Sequence, residues 1–203
     1  MFAGRWLPMI DYVKKHEGSR PLIGAEVGVF AGEGSLYILN NLNIRLLHLI
    51  DPYNLSDTTY KDLCRDTLPA AYQKATIKLI PFEKQVKWWV MTSNEAAVSI
   101  SGDLDFVYID ANHDYIHAMT DIVNYSKLVK PGGYVGGHDY VSGHACMNGK
   151  PIIQDGEPMI LQVKDAVDEY VLEHGMELHI AFEPERPEDG AYDHPDWWFR
   201  KPL

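Results

Sequence analysis

The sequence predicts an α/β domain built on an open, mainly parallel sheet with helices on both faces. Two observations predict it. Short apolar runs alternate with amphipathic ones along all 203 residues, which is the pattern of repeated strand–helix units. The predicted strands also end on acidic or imidazole side chains: Glu26, Asp51, Asp110 and the pair His138-Asp139. In such sheets ligands collect beyond the carboxyl ends of the strands, so the second observation locates a site as well as supporting the fold. At this length one domain, residues 1–203, is expected, and neither an internal repeat nor linker-like composition divides it.

The elements follow in order. Residues 4–17 read as a lead-in helix within an N-terminal segment, 1–20, that offers a surface for a second copy of the chain. PLIGAEVGVF (21–30) is a buried strand, AGEGS (31–35) a glycine-rich turn, and a helix follows near 35–41. RLLHLID (45–51) is the second strand. Over 57–80, Leu63, Leu68, Tyr72 and Ala75 keep a helical rhythm that Pro69 kinks and Pro81 stops. VKWWVM (86–91) has strand composition, and TSNEAAVSI (92–100) opens a helix on a Thr or Ser cap with an acid in its first turn. LDFVYID (104–110) is a strand. The helix 114–129 is expected to bury Ile116, Met119, Ile122 and Val123 and to end at Lys130-Pro131-Gly132-Gly133. GYVGGHD (133–139) is the next strand. A polar, glycine-rich stretch at 140–157 precedes a helix, 159–173, carrying Val163, Val167 and Tyr170. MELHIAF (176–182) and WWFRK (197–201) close the chain as strands. Neighbouring side chains on a strand face opposite ways, so Trp88/Trp89 and Trp197/Trp198 each place one ring on either face as core packing.

The totals exclude several partners. The formal charge is −11 and the Lys and Arg residues are scattered, which opposes a nucleic-acid partner. No stretch approaches the roughly 20 apolar residues that cross a bilayer, and the opening MFAGRWLPMIDYVKKHEG lacks the apolar core of a secretory signal. Cys64 and Cys146 are the only cysteines, too few for a disulfide framework, so a reduced, cytoplasmic setting is the expectation. His144 and Cys146 read as loop residues, and His117 as plain helix surface.

The first turn, EVGVFAGEGS (26–35), does not have the G-x-G-x-x-G spacing that a dinucleotide pyrophosphate wants. Glu26 suits an ammonium group better than a phosphate. Asp51, at the end of the second strand, is placed to accept from ribose hydroxyls. A ligand with a cationic amine and a ribose fits both, and S-adenosylmethionine is such a ligand. The bland reading of Gly28, Gly32 and Gly34 is an ordinary strand–helix turn.

Four stretches then carry a resemblance: E-x-G-x-x-x-G-x-G-S, L-I-D-P-Y, D-F-V-Y-I-D-A-x-H-x-Y and K-P-G-G-Y-x-G-G-H-D-Y. In order, at strand ends, they resemble class I S-adenosylmethionine-dependent methyltransferases, most closely the macrocin and macrolide-sugar O-methyltransferases and more distantly catechol O-methyltransferase. The resemblance covers residues 20–140 and, through the WWF strand, the whole domain. It implies a Rossmann-like, doubly wound sheet of seven strands with the last antiparallel. It implies a donor site of Glu26, Gly28, Gly32, Gly34, Ser35, Asp51, Ser93, Asn94 and Asp110. Within it Glu26, Gly28 and Gly32 line the methionine end, Asp51 holds the ribose, and Ser93 and Asn94 meet the adenine; the bland reading of Ser93 is a helix cap.

A methyl group on a sulfonium is already activated, so the enzyme must align the acceptor oxygen and remove its proton. Two adjacent parallel strands ending together bring Asp110, His138 and Asp139 within reach of one divalent cation, magnesium or manganese, which would lower the pKa of a bound hydroxyl. His113, three residues past Asp110, is placed to take the proton. The resemblance implies the same roles, with one departure: His138 stands where relatives carry Asp or Glu. Imidazole suits manganese, iron or zinc better than magnesium, so either the metal differs, His138 faces away, or the site works without metal. The bland readings are Asp110 as a helix cap and His113 as a first-turn surface residue. The stretch 140–157 is the expected active-site loop, and Tyr53 and Tyr140 are placed to shape the acceptor pocket. The function so implied is O-methylation of a hydroxylated small molecule. The alternatives are a catalytically inactive S-adenosylmethionine- or nucleotide-binding protein, a metal-independent N- or O-methyltransferase and, more weakly, a nicotinamide-dependent oxidoreductase.

Overall fold

Seven strands form one sheet in a computed structural model, which describes residues 7–53, 68–144, 146–147, 150–151, 153–154, 157–181 and 194–203. In chain order they are β1 (Leu22–Val27), β2 (Ile44–Ile50), β3 (Val86–Trp89), β4 (Leu104–Ile109), β5 (Val129–Gly137), β6 (Leu178–Ala181) and β7 (Asp196–Arg200). The spatial order is β6-β7-β5-β4-β1-β2-β3. Strands β1 to β5 pair in parallel, while β7 runs antiparallel to both β5 and β6. The mainly parallel seven-stranded sheet with an antiparallel last strand is therefore present. The chain winds outward from β1 through β2 to β3 and returns to β4 on the other side of β1. The strand order thus reverses between β1 and β4, where such sheets open a crevice.

The helices are α1 (Pro8–Glu17), α2 (Glu33–Asn41), α3 (Leu68–Lys78), α4 (Ser93–Ser99), α5 (Tyr115–Leu128) and α6 (Val163–His174). They cover both faces. Val13 of α1, Ile38 of α2 and Ala75 of α3 pack with Leu47, Phe106 and Tyr108 on one face. Ala96 of α4, Ile122 of α5 and Val167 of α6 pack with Ala25, Val107 and Val135 on the other. Each tandem tryptophan divides as alternation demands: Trp88 and Trp198 join the first cluster, Trp89 and Trp197 the second. No helix among the described residues is long and apolar enough to cross a membrane.

Several boundaries differ from expectation. Of the helix over 57–80, the described part is Leu68–Lys78; its earlier residues, including Leu63 and Cys64, lie outside the described residues. A short 3₁₀ turn, Ile80–Phe82, carries Pro81. The strand expected from 133 begins at Val129, because the backbone turns extended directly at the end of α5 and runs through Pro131. The helix expected from 159 begins at Val163, because Ile160–Leu161 pairs with Gly143–His144 instead. Ile116, expected to be buried, is 72% exposed. The inward face of α5 is Ala118, Ile122 and Tyr125, rotated by one residue from the stripe through Met119 and Val123.

Candidate active site

At the carboxyl end of β1 the chain turns on Gly28, whose φ of 88° is left-handed. A Cβ at this position would lie 1.9 Å from the Asp110 carbonyl oxygen, so only glycine lets the two loops meet across the switch point. The backbone ties them: Gly28 N–H donates to Ile50 O at 2.9 Å and Asp110 N–H to Val27 O at 2.7 Å. Asp51 then fastens the turn. Its Oδ2 accepts from the N–H groups of Val29 (3.0 Å) and Phe30 (2.9 Å), and its Oδ1 from Tyr53 N–H (3.0 Å). Burial pushes the Asp51 carboxyl up, against the pull of these three donors. A carboxylate has about four acceptor positions, so roughly one remains for a ligand hydroxyl.

Asp51 and Gly28 line a cavity of about 300 Å³, at the lower end of the range for small-molecule sites. Val27, Ile50, Pro52 and Leu68 give it apolar walls, and Phe30 stands at its side. The remaining glycine-turn residues sit deeper. Glu26 is 1% exposed and accepts from the Ser35 hydroxyl. A Cβ on Gly34 would meet Glu26 Oε1 at 2.3 Å, so Gly34 makes room for this carboxylate. Glu26, Gly32, Gly34 and Ser35 do not line the cavity.

The far end of the cavity is built by α4 and α5. Thr92, not Ser93, caps α4: its Oγ1 accepts from Glu95 N–H at 3.3 Å, while Glu95 Oε2 accepts from Thr92 N–H at 3.0 Å. Ser93 is instead the first helical residue, and its carbonyl accepts from Tyr125 Oη at 3.0 Å. Asn94 accepts from Asn124 Nδ2 at 3.0 Å. Thr92, Ser93, Asn94, His117 and Asp121 all line the cavity. His117, expected on plain helix surface, stands at its edge with Nδ1 2.6 Å from Asp114 Oδ2. Asp121 was not singled out in sequence at all, because an acid in mid-helix reads as solvated.

Asp110 closes the middle of the cavity and leads to an acid–imidazole cluster. It does not cap α5; Asp114 does, accepting from His117 N–H at 3.0 Å. His113 Nε2 lies 2.7 Å from Asp139 Oδ2 and 3.9 Å from Asp110 Oδ1. The His113 side chain is partly buried, 21% exposed. Its Nε2 is buried and, despite the short distance, not aligned for a hydrogen bond. Asp139 sits in a left-handed backbone conformation, φ 58°, and draws two further rings: His138 Nδ1 at 3.2 Å and His194 Nδ1 at 2.5 Å from Oδ1. Burial opposes the charge of Asp139, yet the three imidazoles hold its carboxyl well below the ordinary range. Burial likewise opposes the charge of His113, but Asp110 and Asp139 outweigh it and push the ring up to about 10. The two carboxylates thus favour the protonated form of His113.

Asp110, His113 and Asp139 each offer a ligand atom, all within 4.8 Å of one another. An unaligned buried nitrogen between two carboxylates fits a divalent cation of mixed nitrogen and oxygen taste. His138 is outside that trio; its ring faces Asp139 and its carbonyl accepts from Trp197 Nε1 at 3.1 Å. His194 is a second residue, after Asp121, that sequence reasoning missed. It reaches the site because β7 runs antiparallel to β5, pairing Trp197 with Gly137, which brings the residues before β7 alongside those after β5. Tyr140 N–H donates to Pro195 O at 3.0 Å and fixes that contact. Tyr53 is turned onto the glycine loop, donating from its hydroxyl to Phe30 O at 2.7 Å. The Tyr140 hydroxyl donates to Asp168 on α6. The expected loop at 140–157 lies partly outside the described residues; its return is anchored where Gln162 N–H donates to His113 O at 2.8 Å.

Residues 25–140 match the family model described as a methyltransferase domain. No curated protein matches the chain in sequence. Among solved structures, an rRNA methylase from Streptococcus thermophilus superposes with a TM-score of 0.62 at 10% identity, over 96% of this chain and 95% of that one. An O-methyltransferase from Bacillus cereus in complex with S-adenosylhomocysteine gives 0.58 at 14%, over 98% and 84%. The N-methyltransferase NodS from Bradyrhizobium japonicum, also with S-adenosylhomocysteine, gives 0.59 at 16%, over 95% and 85%. At these identities the likeness is one of fold.

Proposed function

Because this chain belongs to the methyltransferase-domain family, and is accordingly an S-adenosylmethionine-dependent methyltransferase, we propose that it methylates a hydroxyl oxygen of a small molecule. The observation that carries this reading is the double role of Asp110. It lines the donor-sized cavity and also borders the His113–Asp139 cluster, so a donor's methyl group and an acceptor's proton fall on either side of one residue.

In this reading the donor's ribose meets the remaining acceptor position of Asp51, and its sulfonium lies toward Asp110. The acceptor oxygen attacks the methyl carbon in line with the S–C bond. As the C–O bond forms the S–C bond breaks, the sulfonium becomes a thioether, and the hydroxyl proton passes to His113. His113 accepts it only as a neutral ring, so the carboxylates that hold it protonated must be engaged elsewhere when the acceptor binds. A divalent cation on Asp110 and Asp139, with His138 as the nearby third donor, would supply that engagement and lower the pKa of the acceptor hydroxyl. The closeness of His113 Nε2 to both carboxylates favours a second arrangement, with His113 as the third ligand. The formal charge of −11 supports a small acceptor over a nucleic-acid one.

The test is S-adenosylhomocysteine release with a panel of sugar and phenol acceptors, after chelation and after return of Mn²⁺ or Mg²⁺. Activity lost in EDTA and restored by Mn²⁺ is the expected outcome; full turnover in chelator would remove the cation from the proposal. Calorimetric Mn²⁺ titration separates the two arrangements. His113→Ala binds Mn²⁺ like wild type if His113 is the base, and more than about tenfold more weakly if it is a ligand.

A further inference from the structure

The two carboxylate oxygens of Asp139 have different partners. Oδ2 faces His113 Nε2 at 2.7 Å, while Oδ1 takes His194 Nδ1 at 2.5 Å and His138 Nδ1 at 3.2 Å. The terminal torsion of an aspartate is broad, so a carboxylate turns easily about its last bond. Something must therefore decide which oxygen looks into the cluster. His138 is the adjacent residue and moves with Asp139, which makes it a poor point of reference. His194 comes from a different element, 55 positions along the chain.

The residues after His194 hold it in place, although its side chain is 37% exposed. Pro195 restricts the backbone of the residue before it to extended conformations, and Pro195 O accepts from Tyr140 N–H at 3.0 Å. Asp196 is buried and accepts from Tyr108 and Met9. Trp197 Nε1 donates to His138 O at 3.1 Å. Trp197 and Trp198 are buried on opposite faces of the sheet, which pins the register of β7, since a slip of one residue would exchange them. A frame rooted in the core thus carries one imidazole to one carboxylate oxygen. An ordinary half-exposed pair needs no such frame. A carboxylate only accepts, so the nitrogen facing it carries the hydrogen, whatever the charge on the ring. We infer that His194 is a positioning residue for the reaction: by donating Nδ1–H to Oδ1 it locks the Asp139 carboxylate with Oδ2 toward His113, ready to serve as a cation ligand. The inference rests on the reading that a divalent cation binds at Asp110 and Asp139. Partners of this outer kind orient a ligand without touching the metal, and their loss weakens metal binding by about 10- to 100-fold.

Calorimetric Mn²⁺ titration of the whole chain tests this with two variants, each also melted without metal. His194→Ala is expected to bind Mn²⁺ more than about tenfold more weakly than wild type. His194→Asn places an amide N–H where Nδ1 stood, the same number of bonds from the backbone, and should return the affinity to within about threefold. Both midpoints should stay within about 3 °C of wild type, as for a half-exposed pair. Wild-type affinity in His194→Ala, or an Asn variant no better than Ala, overturns the inference and leaves the cation site standing. A loss of affinity that comes with a larger fall in midpoint marks His194 as structural and overturns it as well. Failure of wild type to bind Mn²⁺ overturns the cation reading and this inference together.

Discussion

Asp139 gathers three imidazoles onto one carboxylate while holding a backbone conformation that a non-glycine residue rarely adopts. Strain of that kind persists where the surroundings impose it. Asp139→Ala should therefore reduce transfer by at least about a hundredfold, the scale of a lost acid–base or outer-ligand group, while S-adenosylhomocysteine affinity stays within about twofold; calorimetry beside the turnover assay checks both. Asp121 carries a sign that can be worked out. Its carboxyl titrates near 6 in the folded chain against about 3.9 unfolded. Between those values the folded state holds the extra proton, so stability falls as pH rises through the window and stays low above it. Asp121→Asn, which does not titrate, should exceed wild type by about 3 kcal/mol near pH 7 and lose that advantage below about pH 4. Melts across that range test it, and parallel profiles for the two proteins would refute it. Asp110, His113, His138 and Asp139 were legible in sequence because each follows an apolar run whose direction sets where it points. Asp121 and His117 were not, since a helix shows its inward face only once its neighbours are known. His194 needed the identity of a strand's partner, which no local pattern encodes.

At the level of elements, the opposite end of the sheet is held by charge. Asp105 on β4 accepts from Ile23 N–H of β1 at 2.7 Å, from Arg20 Nη1 at 2.7 Å, and from Lys130 of β5. Burial raises this carboxyl, but its donors win and hold it below the usual range. Its contribution is thus fully present above the unfolded pKa near 4 and disappears as pH falls through the lower folded value. Asp105→Ala leaves the Ile23 N–H and Lys130 without this acceptor, while Arg20 keeps Glu17 at 2.6 Å, and should cost about 2 kcal/mol in denaturant unfolding. Ligand affinity should not change, because this cluster is a strand's length from the cavity. A loss under about 0.5 kcal/mol would place the pair among ordinary surface bridges. The elements themselves were largely legible: the capping box of α4 announced its start, and glycine-rich turns marked the strand ends. The rotation of α5 was not. Ile116, Ala118, Met119, Ile122, Val123 and Tyr125 allow two apolar stripes one residue apart, and periodicity alone cannot choose between them. The choice came from the sheet, which takes Ala118, Ile122 and Tyr125.

For the whole molecule, the reversal of strand order between β1 and β4 puts the cavity and the acid–imidazole cluster on one rim, which the alternation of strands and helices implied without giving the order. The order adds β7 between β5 and β6, and β7 brings a second anchor. Asp196, 1% exposed, accepts from Tyr108 Oη at 2.8 Å and from Met9 N–H at 3.1 Å. Asp196→Ala should lower Tm by roughly 5 °C or more, since it strands a buried phenol and the amide that starts α1; a midpoint within a degree of wild type would show that water replaces it. The slot that β7 fills also has a consequence during synthesis. A ribosome that has released every strand but this one has made a sheet with an open flank on β5, a bare template for a neighbouring nascent chain. Until β7 zips in, Asp139 lacks its third imidazole as well, so the step that shields the newborn sheet from its neighbours is also the one that completes the cluster around Asp139.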